Sequence, residues 1–126
     1  MKKNALFRFA LIGLVGVAIH NAHAGSAVAW DGSGHFSTAY GGPVQREKER
    51  ALATAHRNGW TTAKIIAATD SPGYGAIAVA LHRNGYGSVN GIAIGRRSAT
   101  EADAAAIKLC LKAGGTNPKV RWAWRG

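Results

Sequence analysis

The sequence predicts an α+β domain built from two β-β-α-β units. Three observations carry that expectation: a short strand motif that recurs at an offset of 49 residues, a capped alanine-rich helix in the second copy, and a lone strand after each helix. Such units are expected to form one mainly antiparallel sheet of about six strands, with both helices packed on one face.

The first strand of each copy carries the repeat. Ser26-Ala27-Val28-Ala29-Trp30 matches Gly75-Ala76-Ile77-Ala78-Val79, and a polar, glycine-bearing turn follows each, Asp31-Gly32-Ser33-Gly34 and His82-Arg83-Asn84-Gly85. Short apolar runs bounded by Gly and Asn read as hairpins, which supplies two strands per copy.

The first helix opens at Pro43, where a missing N–H costs nothing, and stops at Asn58-Gly59. Its apolar stripe is Val44, Leu52 and Ala55 with Ala51 beside it, and the mixed-sign run Arg46-Glu47-Lys48-Glu49-Arg50 reads as its wet face. The second helix opens with the capping box Ser98-Ala99-Thr100-Glu101, in which Ser98 accepts from the amide of Glu101 and Glu101 reaches back to the amide of Ser98. Ala102, Ala105, Ala106, Leu109, Cys110 and Ala113 recur at three- and four-residue steps, and Gly114-Gly115 ends the helix. The closing strands begin at Lys64-Ile65-Ile66 and Lys119-Val120-Arg121, an offset of 55, so the second copy is six residues longer, with the excess expected in its hairpin. The repeats then cover about 26–70 and 74–125.

Ahead of the repeats, Met1-Lys2-Lys3 to Arg8, the apolar run from Phe9 to Ile19 and His20-Asn21-Ala22-His23-Ala24 match the three parts of a secretory signal. A membrane span needs about 20 apolar residues, more than this run holds. Residues 1–24 are therefore expected to be a leader cut after Ala24, with residues 25–126 a single domain that is periplasmic or secreted. Without Lys2, Lys3 and Arg8 the chain keeps 13 Lys and Arg against 6 acids, a net charge of +7. That balance favours acidic partners, although it also serves solubility. With one cysteine, Cys110, no internal disulfide can form.

From Tyr74-Gly75-Ala76-Ile77-Ala78-Val79, through Glu101-Ala102 and Ala106 to Cys110, to Gly114-Gly115 and Lys119-Val120, the chain resembles the bacterial family called domain of unknown function 4189. The resemblance is fuller over residues 74–122 than over 26–66. It implies a Gly-Ala-Ile-Ala strand, a glycine hairpin, an alanine-rich helix ending near a cysteine, a short strand, and a small exported protein. In many members, the resemblance implies, the helix cysteine pairs with one just before the last strand; here Asn117-Pro118 stands there. The family carries no activity or catalytic residue to transfer.

No catalytic residue, metal ligand set or cofactor motif emerges. His35 and His82 lie near the two hairpin turns, where symmetry could bring them close, but no third partner is fixed for either. Gly85-Tyr86-Gly87 is not followed directly by a helix and reads as turn chemistry. The most suggestive segment is Lys119-Val120-Arg121-Trp122-Ala123-Trp124-Arg125. Alternation sets Val120, Trp122 and Trp124 on one face and Lys119, Arg121 and Arg125 on the other. Either the tryptophans and basic row form a binding platform, or the tryptophans are core and the basic row protects a sheet edge. Arg96-Arg97, just ahead of the second helix, either adds to an anion site near its N-terminus or is plain surface.

The leading expectation is an exported, non-enzymatic binding module. It recognises an acidic protein or anionic envelope polymer through Arg96, Arg97, Lys119, Arg121, Trp122, Trp124 and Arg125, one version being an inhibitor or immunity protein for a secreted toxin. The alternatives are an effector acting on membranes or nucleic acid, the latter not favoured as a partner, and a small hydrolase using His35 or His82.

Overall fold

A computed structural model describes residues 24–126; the expected leader, residues 1–24, lies outside them except for Ala24. The element order is β1 (Gly25–Trp30), β2 (Phe36–Gly42), α1 (Val44–Arg57), β3 (Lys64–Thr69), β4 (Tyr74–His82), β5 (Ser88–Arg96), α2 (Ala99–Lys112) and β6 (Gly115–Arg125). This is the expected α+β class and the expected β-β-α-β unit, twice.

The six strands do not continue as one sheet. They form two three-stranded antiparallel sheets, ordered β2-β1-β3 and β5-β4-β6. Each central strand has both edges satisfied by strands of its own unit, so the units meet through their faces.

Three clusters of buried side chains define the layers. Ala27, Ala29 and Ala39 meet Ala51 and Ala55 of α1, while Ala76, Ala78 and Ala93 meet Ala102, Ala106 and Cys110 of α2. Val28, Ile77 and Trp124 form a third cluster, with Phe36, Val79, Ile92 and Ile94 around it. The order is therefore helix, sheet, sheet, helix, and the helices lie on opposite outer faces instead of sharing one. The cause is strand alternation: successive side chains point to opposite faces, alanine toward the helix and a larger side chain toward the other sheet. Alanine on alanine lets each helix come close, and a Cβ on Gly91 would collide with the carbonyl oxygen of Ala106.

The repeat extends to register. Trp30 pairs with Lys64 and Val28 with Ala67, as Val79 pairs with Lys119 and Ile77 with Trp122. The second copy's extra length divides between two places. Ala27 pairs with Ala39 and Ala76 with Ala93, which puts five added residues in the hairpin; the helices are offset by 55, which puts one more between β5 and α2.

Both helix ends follow the sequence. Pro43 is the N-cap of α1 and Asn58 its C-cap; Ser98 caps α2 by accepting from the amide of Glu101 at 3.1 Å. Two side chains depart from expectation. Glu47 belongs to the buried face of α1, fully enclosed, with Arg50 Nη1 donating to its Oε1 at 2.6 Å. It falls four residues before Ala51, on the stripe that meets the sheet, and so leaves the wet face. Glu101 turns from the Ser98 amide toward two cations, Arg97 at 3.5 Å and Arg96 at 4.0 Å.

Among the described residues, no helix is long and apolar enough to cross a membrane.

Candidate functional site

β6 is the strand on which the chemistry of the C-terminal segment depends, and two bulges set its side-chain directions. Ile77 faces Trp122 while Ala78 faces Val120, which leaves Arg121 without a partner on β4. A second extra residue falls where Val79 faces Lys119 and Leu81 faces Thr116, at Asn117, whose φ is +55°, and Pro118. A bulge resets the period-two alternation. Val120 therefore turns to the α2 cluster, whereas Lys119 and Trp122, paired with Val79 and Ile77, share the face toward the other sheet. The expected grouping of Val120 with both tryptophans, and of the three basic residues opposite them, does not hold.

On that face lies a groove of about 620 Å³. It exists because the sheets differ in length: β4, β5 and β6 have 9, 9 and 11 residues, against 6, 7 and 6 in β1, β2 and β3. The longer sheet extends beyond the shorter, leaving Val79 and Leu81 as an apolar floor, with Leu81 65% exposed. Trp122 closes one side, its ring 5.2 Å from Phe36, which is in turn 6.0 Å from the ring of Trp30. Lys119 and Arg121 flank this aromatic wall, the remaining lining is uncharged and mostly polar, and among the described residues no acid lines the groove.

The seven residues expected to form one binding surface thus divide into three settings. Lys119, Arg121 and Trp122 line the groove. Trp124 is buried between the sheets, stacked on Tyr40 at 6.3 Å and lying against Gly75. Arg96, Arg97 and Arg125 line a separate hollow of about 300 Å³ at the other end of β4. Phe36, Val79 and Leu81 were absent from the sequence-based site. Their one signal was placement, since each flanks a hairpin turn and is large and apolar.

The two histidines occupy corresponding corners but different surroundings. His35 Nδ1 lies 2.7 Å from the Asp31 carboxylate, and its ring stacks on Trp60 at 4.6 Å. His82 Nδ1 accepts from the amide of Asn84 at 3.1 Å, beside Gly114. Desolvation pushes the Asp31 carboxyl up, but bonds from His35 and from the Ser33 amide and hydroxyl outweigh it and hold the group well below the usual carboxylate range. The Ser33 hydroxyl donates to that carboxylate, so it serves the turn and is not presented to the imidazole. Among the described residues no cluster of three or more His, Cys, Asp or Glu is disposed to hold a metal ion. Burial raises the pKa of the Cys110 thiol, which points to the carbonyl of Val89 at 3.6 Å.

No family model matches the chain, and no curated protein or solved structure matches it either.

Proposed function

We propose that the protein is an exported binding module whose groove receives an acidic segment of a partner protein. The observation that supports this most is the pairing of Lys119 and Arg121 with the half-exposed Trp122 over an apolar floor and with no acid in the lining. Charge at the rim steers an anionic segment, and the apolar floor with its aromatic wall accepts a side chain that anchors it. An acidic protein fits this combination better than a uniform anionic polymer, which offers nothing to the apolar floor. An inhibitor or immunity protein for a secreted toxin is one form of the proposal.

The test is capture of a partner by residues 25–126, repeated with Lys119→Ala/Arg121→Ala and with Trp122→Ala. The reading expects loss of capture in both variants and a steep fall in affinity from low to physiological salt, because exposed charges are screened over about 8–10 Å. A partner held equally well by both variants would sink it.

A hydrolytic reading draws on the Asp31–His35 contact, since a carboxylate that orients imidazole is one element of a catalytic triad. A hydrolase activity surviving His35→Ala and His82→Ala eliminates that reading.

A further inference from the structure

Among the described residues Glu47 is the only fully buried charged side chain. Its Oε1 accepts from Arg50 Nη1 at 2.6 Å, and its Oε2 has no hydrogen-bond partner among them. A carboxylate taken out of water is tolerated when its charge is paired and both oxygens are bonded, so the free oxygen calls for a second donor.

The neighbouring backbone supplies a candidate. Oε2 lies over Gly42, close enough to collide with a Cβ there, and Gly42 is the cross-strand partner of Gly25, the first residue of β1. Directly paired residues of antiparallel strands have Cα atoms about 4.5–5.5 Å apart, so Gly25 stands next to the residue that Oε2 covers. Gly25 is itself buried, and a Cβ on it would meet the Cα of Val44 at 3.2 Å, which places it under the first turn of α1, the helix that carries Glu47. The second unit differs at each of these places. Tyr74 stands where Gly25 does, Arg96 where Gly42 does, and Ala102 where Glu47 does. Tyr74 follows Gly73 within the chain, whereas Gly25 is the residue that loss of residues 1–24 leaves at the start. The buried carboxylate thus belongs to the unit that cleavage endows with an amine, and alanine takes its place in the unit that has none.

We infer, resting on the proposed export and a cut after Ala24, that Glu47 is the binding site of the chain's own new amino terminus. Hydrolysis of the Ala24–Gly25 bond consumes one water, leaves a carboxylate on Ala24 and leaves an ammonium group on Gly25. That ammonium donates to Oε2 and, with Arg50 on Oε1, clasps the carboxylate from both sides. Two other charged groups reach this end: Arg46, whose Cδ approaches Gly42, and the carboxylate of Gly126, whose backbone lies against Ala24 and Gly25. The second of these is the rival acceptor for the amine.

The full chain, expressed in an exporting bacterium and weighed by mass spectrometry, gives the first test. A mature chain beginning anywhere but Gly25 overturns the proposal, while the groove is judged separately by capture of its partner. Urea unfolding then compares residues 25–126 with the same chain lengthened by Ala22-His23-Ala24, in which the Gly25 nitrogen is an amide. The free amine is expected to raise the folding equilibrium constant about tenfold, an advantage that shrinks to within about twofold in Glu47→Gln and in Glu47→Ala, the latter copying the second unit. The advantage is full below about pH 8, the ordinary range of a free α-amine, and fades as pH rises through the higher value that pairing gives it. No advantage in the parent, or an equal one in all three backgrounds, overturns the assignment. An advantage abolished by converting the Gly126 carboxylate to an amide, and not by the Glu47 variants, gives the amine to Gly126 and overturns it as well.

Discussion

Ile66 and Arg121 hold equivalent places in the two units: each is the extra residue of a bulge in the third strand, opposite the step between the second and third larger-or-alanine positions of the central strand. In both copies the bulge separates a residue that faces the helix, Ile65 or Val120, from one that faces the other sheet, Ala67 or Trp122. Deleting Arg121 leaves Val120 and Trp122 adjacent, and plain alternation then keeps Val120 toward α2 and Trp122 and Trp124 toward the other sheet. Both the deletion and Arg121→Ala are expected to leave the urea midpoint nearly unchanged; a loss of about 3–5 kcal/mol on deletion, the scale of losing a buried tryptophan, would show that the bulge sets the side-chain directions by itself.

The tryptophans are expected to separate in behaviour. Trp124→Ala empties a site that is 7% exposed and is expected to cost about 3–5 kcal/mol in urea unfolding. Trp122→Ala, at a position 41% exposed, loses mainly its contact with Phe36 and is expected to cost about 1 kcal/mol. Equal losses would contradict the assignment of one to the core and the other to the groove.

Gly91 is the point where α2 lies on the sheet. A Cβ there collides with backbone, the Ala106 carbonyl oxygen and the Cys110 amide nitrogen, so the helix itself must move. Gly91→Ala is expected to lower stability by about 1–3 kcal/mol or more, read as a drop in the thermal midpoint.

Glu47 occupies the position that Ala102 fills in the other unit. Its Oε2 has no hydrogen-bond partner among the described residues, and Oε1 is held by Arg50, itself half exposed. In the chain lengthened by Ala22-His23-Ala24, Arg50→Ala strands a buried carboxylate and is expected to cost about 1–3 kcal/mol. Adding Glu47→Ala is expected to restore part of that loss, because the second unit is built with alanine at this place. A double variant less stable than Arg50→Ala alone would show that the carboxylate has another partner.

Asp31 makes the first hairpin sensitive to acid. Its carboxyl is held below its ordinary value in the folded chain, so its contribution is present above the unfolded pKa and is lost as pH falls through the lower, folded one. Urea midpoints measured on the acid side of neutrality are expected to fall more steeply for the parent chain than for Asp31→Asn. Parallel curves would remove Asp31 from the account.

Much of the fold was legible because the punctuation is local. Pro43, Asn58-Gly59, Ser98 and Gly114-Gly115 bound the helices through short-range hydrogen bonding and backbone preference, and the repeat located the strands. The division into two sheets was not legible. Alternating alanine with Val28, Ile77 or Val79 says that a strand has one small and one large face, but not what covers each. Glu47 was misplaced because a charged run normally marks solvent, and its burial depends on the tertiary approach of Gly42, where a Cβ would meet Glu47 Oε2. The candidate site was read in composition but not in arrangement. Lys119, Arg121 and Trp122 converge through a bulge, and Arg96 and Arg125 through register across Tyr74, both of which depend on pairing between distant strands.

The unequal hairpins of the two units set where the molecule departs from its own symmetry. The five residues that lengthen β4-β5 relative to β1-β2 lie beyond all three buried clusters, yet they create the overhang that forms the groove. A change of length at that one tip therefore reshapes the groove without reaching the packed body.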